Sequence, residues 1–164
     1  MKLKNKIIDI MHNLSQHYNP KKYWKRREIV TNPNIKRSKL IKYLHLYYIK
    51  KCDGYNCASL GTIVDGGAHF SSVPNLPHGI KGIVIGHNVT VGKNATIYQR
   101  VTIEQGKINR PTTIGDNCII GCGAFIKASV IIGDNVKIGA NAVVTHDIPS
   151  NCVVGGVPAI IIKD

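Results

Sequence analysis

The chain has 164 residues, 43% of them hydrophobic, with 22 Lys+Arg against 9 Asp+Glu and a net charge of +13. That length suits one domain with at most a small appendage, and no run of about 18 apolar residues is present to span a membrane. The five cysteines (Cys52, Cys57, Cys118, Cys122 and Cys152) form no Cys-x-x-Cys pair and no zinc spacing, which argues against a redox dithiol or a structural zinc site.

The charge is lopsided. Residues 1–51 hold 14 Lys+Arg against Asp9 and Glu28, whereas 52–164 hold 8 Lys+Arg against 7 acids. A solvated helical cap explains this as well as an anionic partner does, whether an acidic membrane face, a phosphate-bearing donor or an acidic carrier. The basic residues lack the spacing of a nucleic-acid-binding motif, so no nucleic acid is expected. The N-terminus is basic without an apolar signal core or cleavage site. A cytoplasmic protein is expected, with a peripheral position at the inner membrane face open to it.

In chain order, Leu3, Ile7, Ile10 or Met11, and Leu14 recur at helical spacing and predict a helix over 3–17, which Asn19-Pro20 ends. Residues 23–27 read as a short turn or helix and 31–34 as a loop. Ser38 caps a second helix over 39–51, with Leu40, Tyr43, Leu44, Tyr47 and Tyr48 on one broad face. Cys52 to Asn56 break it. Residues 1–52 thus form a helical cap and 53–164 the main domain.

The main domain repeats with a period of six. Ile85, Val91, Ile97 and Ile103 are six apart, and after a break the series resumes at Ile114, Ile120, Ile126, Ile132, Ile138 and Val144. Glycine follows one residue later at most of these, Asn three later at half, and a small or branched apolar residue four later. A hexapeptide repeat marks a β-helix. The first residue points inward and stacks on its equivalent one coil on, about 4.8 Å away. Gly and Asn take the corners because they tolerate positive φ. Three hexapeptides make an 18-residue triangular coil, so the expected fold is all-β, a parallel β-helix of a little over three regular coils. Residues 66–82 read as a first coil distorted by a loop, and the step of 11 from Ile103 to Ile114 as a five-residue insertion, with Gln105 to Pro111 at the tip that protrudes from a corner.

A smooth β-helix has no pocket, so a site must form at loops and glycine-lined corners. His78, in the distorted coil, is the candidate base, although a lone His is more often structural. His69 and His87 lie 18 apart, as metal ligands on stacked coils would, but the 66–82 loop breaks the register such stacking needs. No metal is expected.

His78 followed by Gly82-Ile83-Val84-Ile85, the strand Ile97-Tyr98-Gln99-Arg100-Val101-Thr102-Ile103 and the turn Gly155-Gly156-Val157-Pro158-Ala159 resemble motifs of the serine-acetyltransferase-like branch of the hexapeptide-repeat acyltransferases. The resemblance covers about 53–162 and implies a left-handed β-helix, a homotrimer and acetyl-CoA as co-substrate. It implies His78 as the base, Asp53 orienting it (Asp65 the alternative), and CoA along Gly121, Cys122, Gly123, Ala124, Gly139 and Ala140. That path would end near the C-terminal tail, where Lys163 is read as a phosphate contact. Asn109 and Arg110 fall in its corner loop. Serine-specific members carry an acid before the catalytic His and a His in the corner loop; this chain has Pro77 and Pro111. Free serine thereby loses its anchors, which favours a saccharide acceptor of surface or capsular polysaccharide synthesis, with Asn75, Gln99, Asn109 and Arg110 as its contacts. The alternatives are a serine O-acetyltransferase and a non-catalytic trimer binding an anionic partner.

Overall fold

The computed structural model describes residues 17–163. The helix expected over 3–17 falls outside them, save for its last residue. Asn19-Pro20, expected to stop a helix, starts one. The Asn19 side chain accepts from the Lys22 N–H, Pro20 takes the first helical position, and α1 runs Pro20–Thr31.

Ser38 caps α2 as expected, but α2 spans Lys39–Tyr55, past the predicted end at residue 51. Cys52 and Asp53 are buried, and that packing carries the helix through turn-forming residues. The buried face of α2 also differs from the expected one. Lys42, Ile49, Cys52 and Asp53 face inward, whereas Leu40, Tyr43, Leu44 and Tyr47 face out. No described helix is long and apolar enough to cross a membrane.

From Ser59 the chain winds into a left-handed parallel β-helix with three walls. The first wall stacks β1 (Ser59–Leu60), β5 (Val84–Ile85), β8 (Thr102–Ile103), β11 (Phe125–Ile126) and β14 (Val143–Val144). The second stacks β7 (Thr96–Ile97), β10 (Ile119–Ile120), β13 (Lys137–Ile138) and β15 (Val153–Gly155), with β16 (Ile160–Lys163) antiparallel at its edge. The third stacks β4 (His69–Phe70), β6 (Val89–Val91), β9 (Thr112–Ile114) and β12 (Ile131–Ile132). An antiparallel hairpin, β2 (Thr62–Ile63) with β3 (Gly66–Gly67), interrupts the first coil.

The register is the predicted one. Leu60, Ile85, Ile103, Ile126 and Val144 align up the first wall, and Ile97, Ile120, Ile138 and Val154 up the second. All ten inward aliphatics of the six-step are at most 3% exposed. The small-residue column is buried with them, from Val89 and Ala95 to Val136 and Ala142. Ile85 pairs with Ile103 eighteen residues on, whereas Ile103 pairs with Ile126 twenty-three on. The five-residue insertion is therefore absorbed at a corner without shifting either wall.

Three corners join the walls. Corner I runs from the second wall to the first, corner II from the first to the third, corner III from the third to the second. Corner III carries an asparagine ladder, in which Asn94, Asn117 and Asn135 each donate a side-chain amide to the next asparagine's oxygen, ending at Asn151 (3.1, 3.1 and 2.8 Å). All four have φ between 55° and 65°, so one residue type satisfies both the left-handed corner and the stacking bond.

Candidate functional site

His78 lies at corner I, within the first of two successive tight turns. The Gly79 N–H donates to the Leu76 carbonyl at 3.0 Å and the Ile83 N–H to the Ile80 carbonyl at 3.1 Å. Gly79 and Gly82 both take positive φ, and the extra residue in the motif is accommodated by sinking Ile80 into the core, where it is 0% exposed. His78 itself is exposed. Its ring lies 6.0 Å from that of Tyr98, tilted by 41°.

Backbone bonds carry this corner upward through successive coils. The Arg100 N–H donates to the Lys81 carbonyl (3.0 Å), Gly123 to Gln99 (3.1 Å), Asn141 to Cys122 (2.8 Å) and Val143 to Gly156 (3.0 Å). His78, Tyr98, Gln99, Gly121–Gly123, Gly139 and Ala140 therefore share one corner. Cys122 is half-buried and Ala140 exposed, so a strip of small side chains leads away from His78. Gln99 adds a buried amide oxygen with no hydrogen-bond partner among the described residues. A buried acceptor left unpaired costs about 1–3 kcal/mol, and a hydroxyl delivered at this corner would satisfy it.

Other predicted site residues lie elsewhere. Ala124 is 0% exposed and packs in the core, so its side chain cannot line a ligand path. The N–H groups of Gly121 and Gly123 donate to the Ile138 and Gln99 carbonyls and are not free to hold an oxyanion. A Cβ on Gly121 would lie 2.6 Å from the Ala140 nitrogen, so coil stacking by itself demands this glycine. Lys163 pairs with Val153, at the end of β15 away from corner I. Asn75 is exposed just below the corner and bridges to Thr96.

Asn109 and Arg110 occupy corner II. Their loop is fastened from below by the Gly106 N–H donating to the Asn88 carbonyl (3.2 Å) and from above by the Lys107 N–H donating to Ser129 Oγ (3.0 Å). The Arg110 guanidinium is engaged with Asp147 at 2.7 Å on an exposed surface. Within one chain, Arg110 and His78 do not meet.

Neither candidate carboxylate pairs with His78. Asp53 is buried in the last turns of α2 and accepts from the Tyr23 hydroxyl at 2.7 Å, while its second oxygen is buried without a partner. Asp65, at the β2–β3 tip, is ion-paired to the buried Lys42 ammonium. Asp53 therefore ties α2 to α1, and Asp65 ties α2 to the β2–β3 hairpin of the β-helix. Burial pushes the Asp53 carboxyl up to about 6, against the downward pull of the Tyr23 bond, Lys50 and Arg27. A carboxyl raised above its unfolded value near 3.8 favours the fold below that value and loses the contribution as pH rises through about 6. The loss is about 3 kcal/mol at most. Asp53→Asn, which keeps the acceptor for Tyr23, should therefore flatten the stability profile across this window in urea denaturation.

His69 aligns with Thr90 and not with His87, which removes the stacked histidine pair. Among the described residues no three His, Cys, Asp or Glu side chains cluster as a metal would need. Tyr98 was not singled out from sequence. Its signal was available, since it follows inward-facing Ile97 directly and so opens the corner one coil above His78.

The profile of the bacterial transferase hexapeptide, a family of six repeats, matches residues 111–146, and that of the succinyl-transferase hexapeptide repeat matches 79–106. Between them the two profiles cover residues 79–106 and 111–146, the regular coils of the three walls. Among solved structures, the Brucella abortus serine acetyltransferase superposes with a TM-score of 0.69 at 25% identity, over 88% of this chain and 55% of its own. The same enzyme has been solved in complex with coenzyme A. The Vibrio cholerae serine acetyltransferase gives 0.66 at 28% identity, over 87% and 52%. The soybean enzyme complexed with serine gives 0.62 at 29%, over 74% and 49%. This hexapeptide-repeat chain is similar to the serine-acetyltransferase-like branch, as its motifs implied, and spans about half the length of those enzymes.

Proposed function

We propose that the protein is an acetyl-CoA-dependent O-acetyltransferase with His78 as its general base. The observation that carries this reading is the single corner joining His78 to Gln99, Cys122, Gly123, Gly139 and Ala140 through four successive coils. The strip of small side chains fits an extended pantetheine arm, and acetyl-CoA bound there supplies an activated thioester carbonyl. His78, exposed at the end of the strip, takes the proton of the acceptor hydroxyl as that oxygen attacks the thioester carbonyl, and returns it to the CoA sulfur as the C–S bond breaks and the thiol leaves. Gln99 Oε1 accepts from a second donor on the acceptor, an ammonium N–H or another hydroxyl, and Tyr98 flanks the imidazole, so acceptor and base are held in one orientation. A large residue at Ala140 should weaken CoA binding at least about tenfold with an unchanged melting temperature, measured by calorimetric titration. Unchanged affinity would rule out this path.

Serine is the acceptor that the similar structures favour, since the enzymes of that branch are named for it. Its ammonium and carboxylate are costly to desolvate unless paired. Arg110 is the cation available for the carboxylate, and it sits at corner II beside Asp147. A homotrimer would resolve this by placing one protomer's corner II against the next protomer's corner I; sedimentation velocity should give three chains per particle.

A specific observation favours a second acceptor, a sugar hydroxyl. Pro77 stands where serine-specific relatives place an acid, and no carboxylate bonds His78 among the described residues. A neutral pyranose needs neither anchor and can use Asn75, Gln99 and Asn109. Thiol release from acetyl-CoA with serine, and then with nucleotide-linked and lipid-linked sugars, separates the two. Turnover with neither, together with a dispensable His78, would leave a non-catalytic trimer.

A further inference from the structure

Helix α2 leaves an apolar stripe uncovered. Leu40, Tyr43, Leu44 and Tyr47 are 72%, 56%, 62% and 70% exposed, and their spacing puts them on one helix face. Ile41, 39% exposed, widens it. The opposite face is the one buried in the protein. Cations bracket the stripe: Lys36, Arg37 and Lys39 at its N-terminal end, Lys50 and Lys51 at the other, all exposed. No acid lies between Asn34 and Cys52, and the first 16 residues add Lys2, Lys4 and Lys6 against Asp9.

Charge decides what covers this face. A second copy docked stripe to stripe would press cationic ends together in either orientation, with no acid on the stripe to offset them. A soluble polyanion would satisfy the charge and leave Leu40 and Leu44 in water. An anionic bilayer meets both demands. The leucines enter the acyl boundary, Tyr43 and Tyr47 lie at headgroup depth, and the flanking lysines meet lipid phosphates. We propose that α2 is an interfacial anchor that docks the protein on an anionic lipid surface. This holds whichever acceptor the enzyme uses.

Flotation of the full chain with vesicles of phosphatidylglycerol and phosphatidylcholine, against phosphatidylcholine alone, tests it. Binding should require the anionic lipid and weaken with added salt. The doubly substituted Leu40→Ser/Leu44→Ser and Lys36→Gln/Lys39→Gln variants should each bind at least about tenfold more weakly, with far-UV circular dichroism and melting unchanged because all four side chains are exposed. Three results would overturn the proposal: no preference for anionic vesicles, full binding by the leucine variant (adsorption by charge alone), or a lower particle mass of that variant in lipid-free sedimentation, which would show a second copy covering the stripe.

Discussion

Replacing His78 with alanine should lower kcat by about 10²–10⁴, the span that removal of a general base produces, and leave the fold intact. The imidazole is exposed and touches Tyr98 without entering the core, so melting should move by no more than a surface substitution allows, within about 0.5 kcal/mol. Affinity for CoA should hold as well, because the proposed path along Cys122, Gly123 and Ala140 lies on higher coils. The pairing of lost turnover with retained binding and melting separates a base from a structural histidine. A rate unchanged by His78→Ala would sink the catalytic reading.

The second large effect is on stability. Gly121→Ala should destabilise by more than the about 1–3 kcal/mol of ordinary overpacking. The added Cβ would meet the Ala140 nitrogen at 2.6 Å and the Gly139 carbonyl carbon at 2.8 Å. These are backbone atoms of the next coil and cannot rotate away. Gly54→Ala is the matched control: nothing lies within 4 Å of its Cβ position and it sits inside α2, so it should stabilise by about 0.5–1 kcal/mol. Chemical denaturation of the two variants, run together, checks both signs. Equal stability of Gly121→Ala and the parent would show that the coils slide apart without cost.

The β-helix was legible because its constraint is periodic. A slip of one residue at Ile114 would turn every later aliphatic outward, so the six-step in sequence is the wall itself. Corner I was legible as motifs but not as a place: nothing in the text of the chain says that residues 78, 99, 122 and 140 stack, because the lengthened corner at 76–83 and the insertion near 108 make the intervals unequal. Asp53 was misplaced for another reason. Its partner Tyr23 lies thirty residues earlier, in a stretch that the sequence showed as a short turn or helix, and the Asp53–Tyr23 bond belongs to tertiary packing. The exposed stripe on α2 deceived in the opposite way: an amphipathic pattern reports that one face is apolar, not that it points into its own domain.

The three-walled winding makes length a matter of arithmetic. An insertion or deletion of 18 residues directly after Ile120 would add or remove one full circuit and return every wall to its place. A change of six would keep each residue's inward or outward sense, so the chain could still close, yet everything after it would be indexed round by one wall. The coil bearing Gly139 and Ala140 would then rise above a different edge, away from His78. Lineages built on this winding can drift in height by whole circuits while keeping their chemistry, but a single hexapeptide gained above the base should yield a protein that folds and no longer lines up its own reactants.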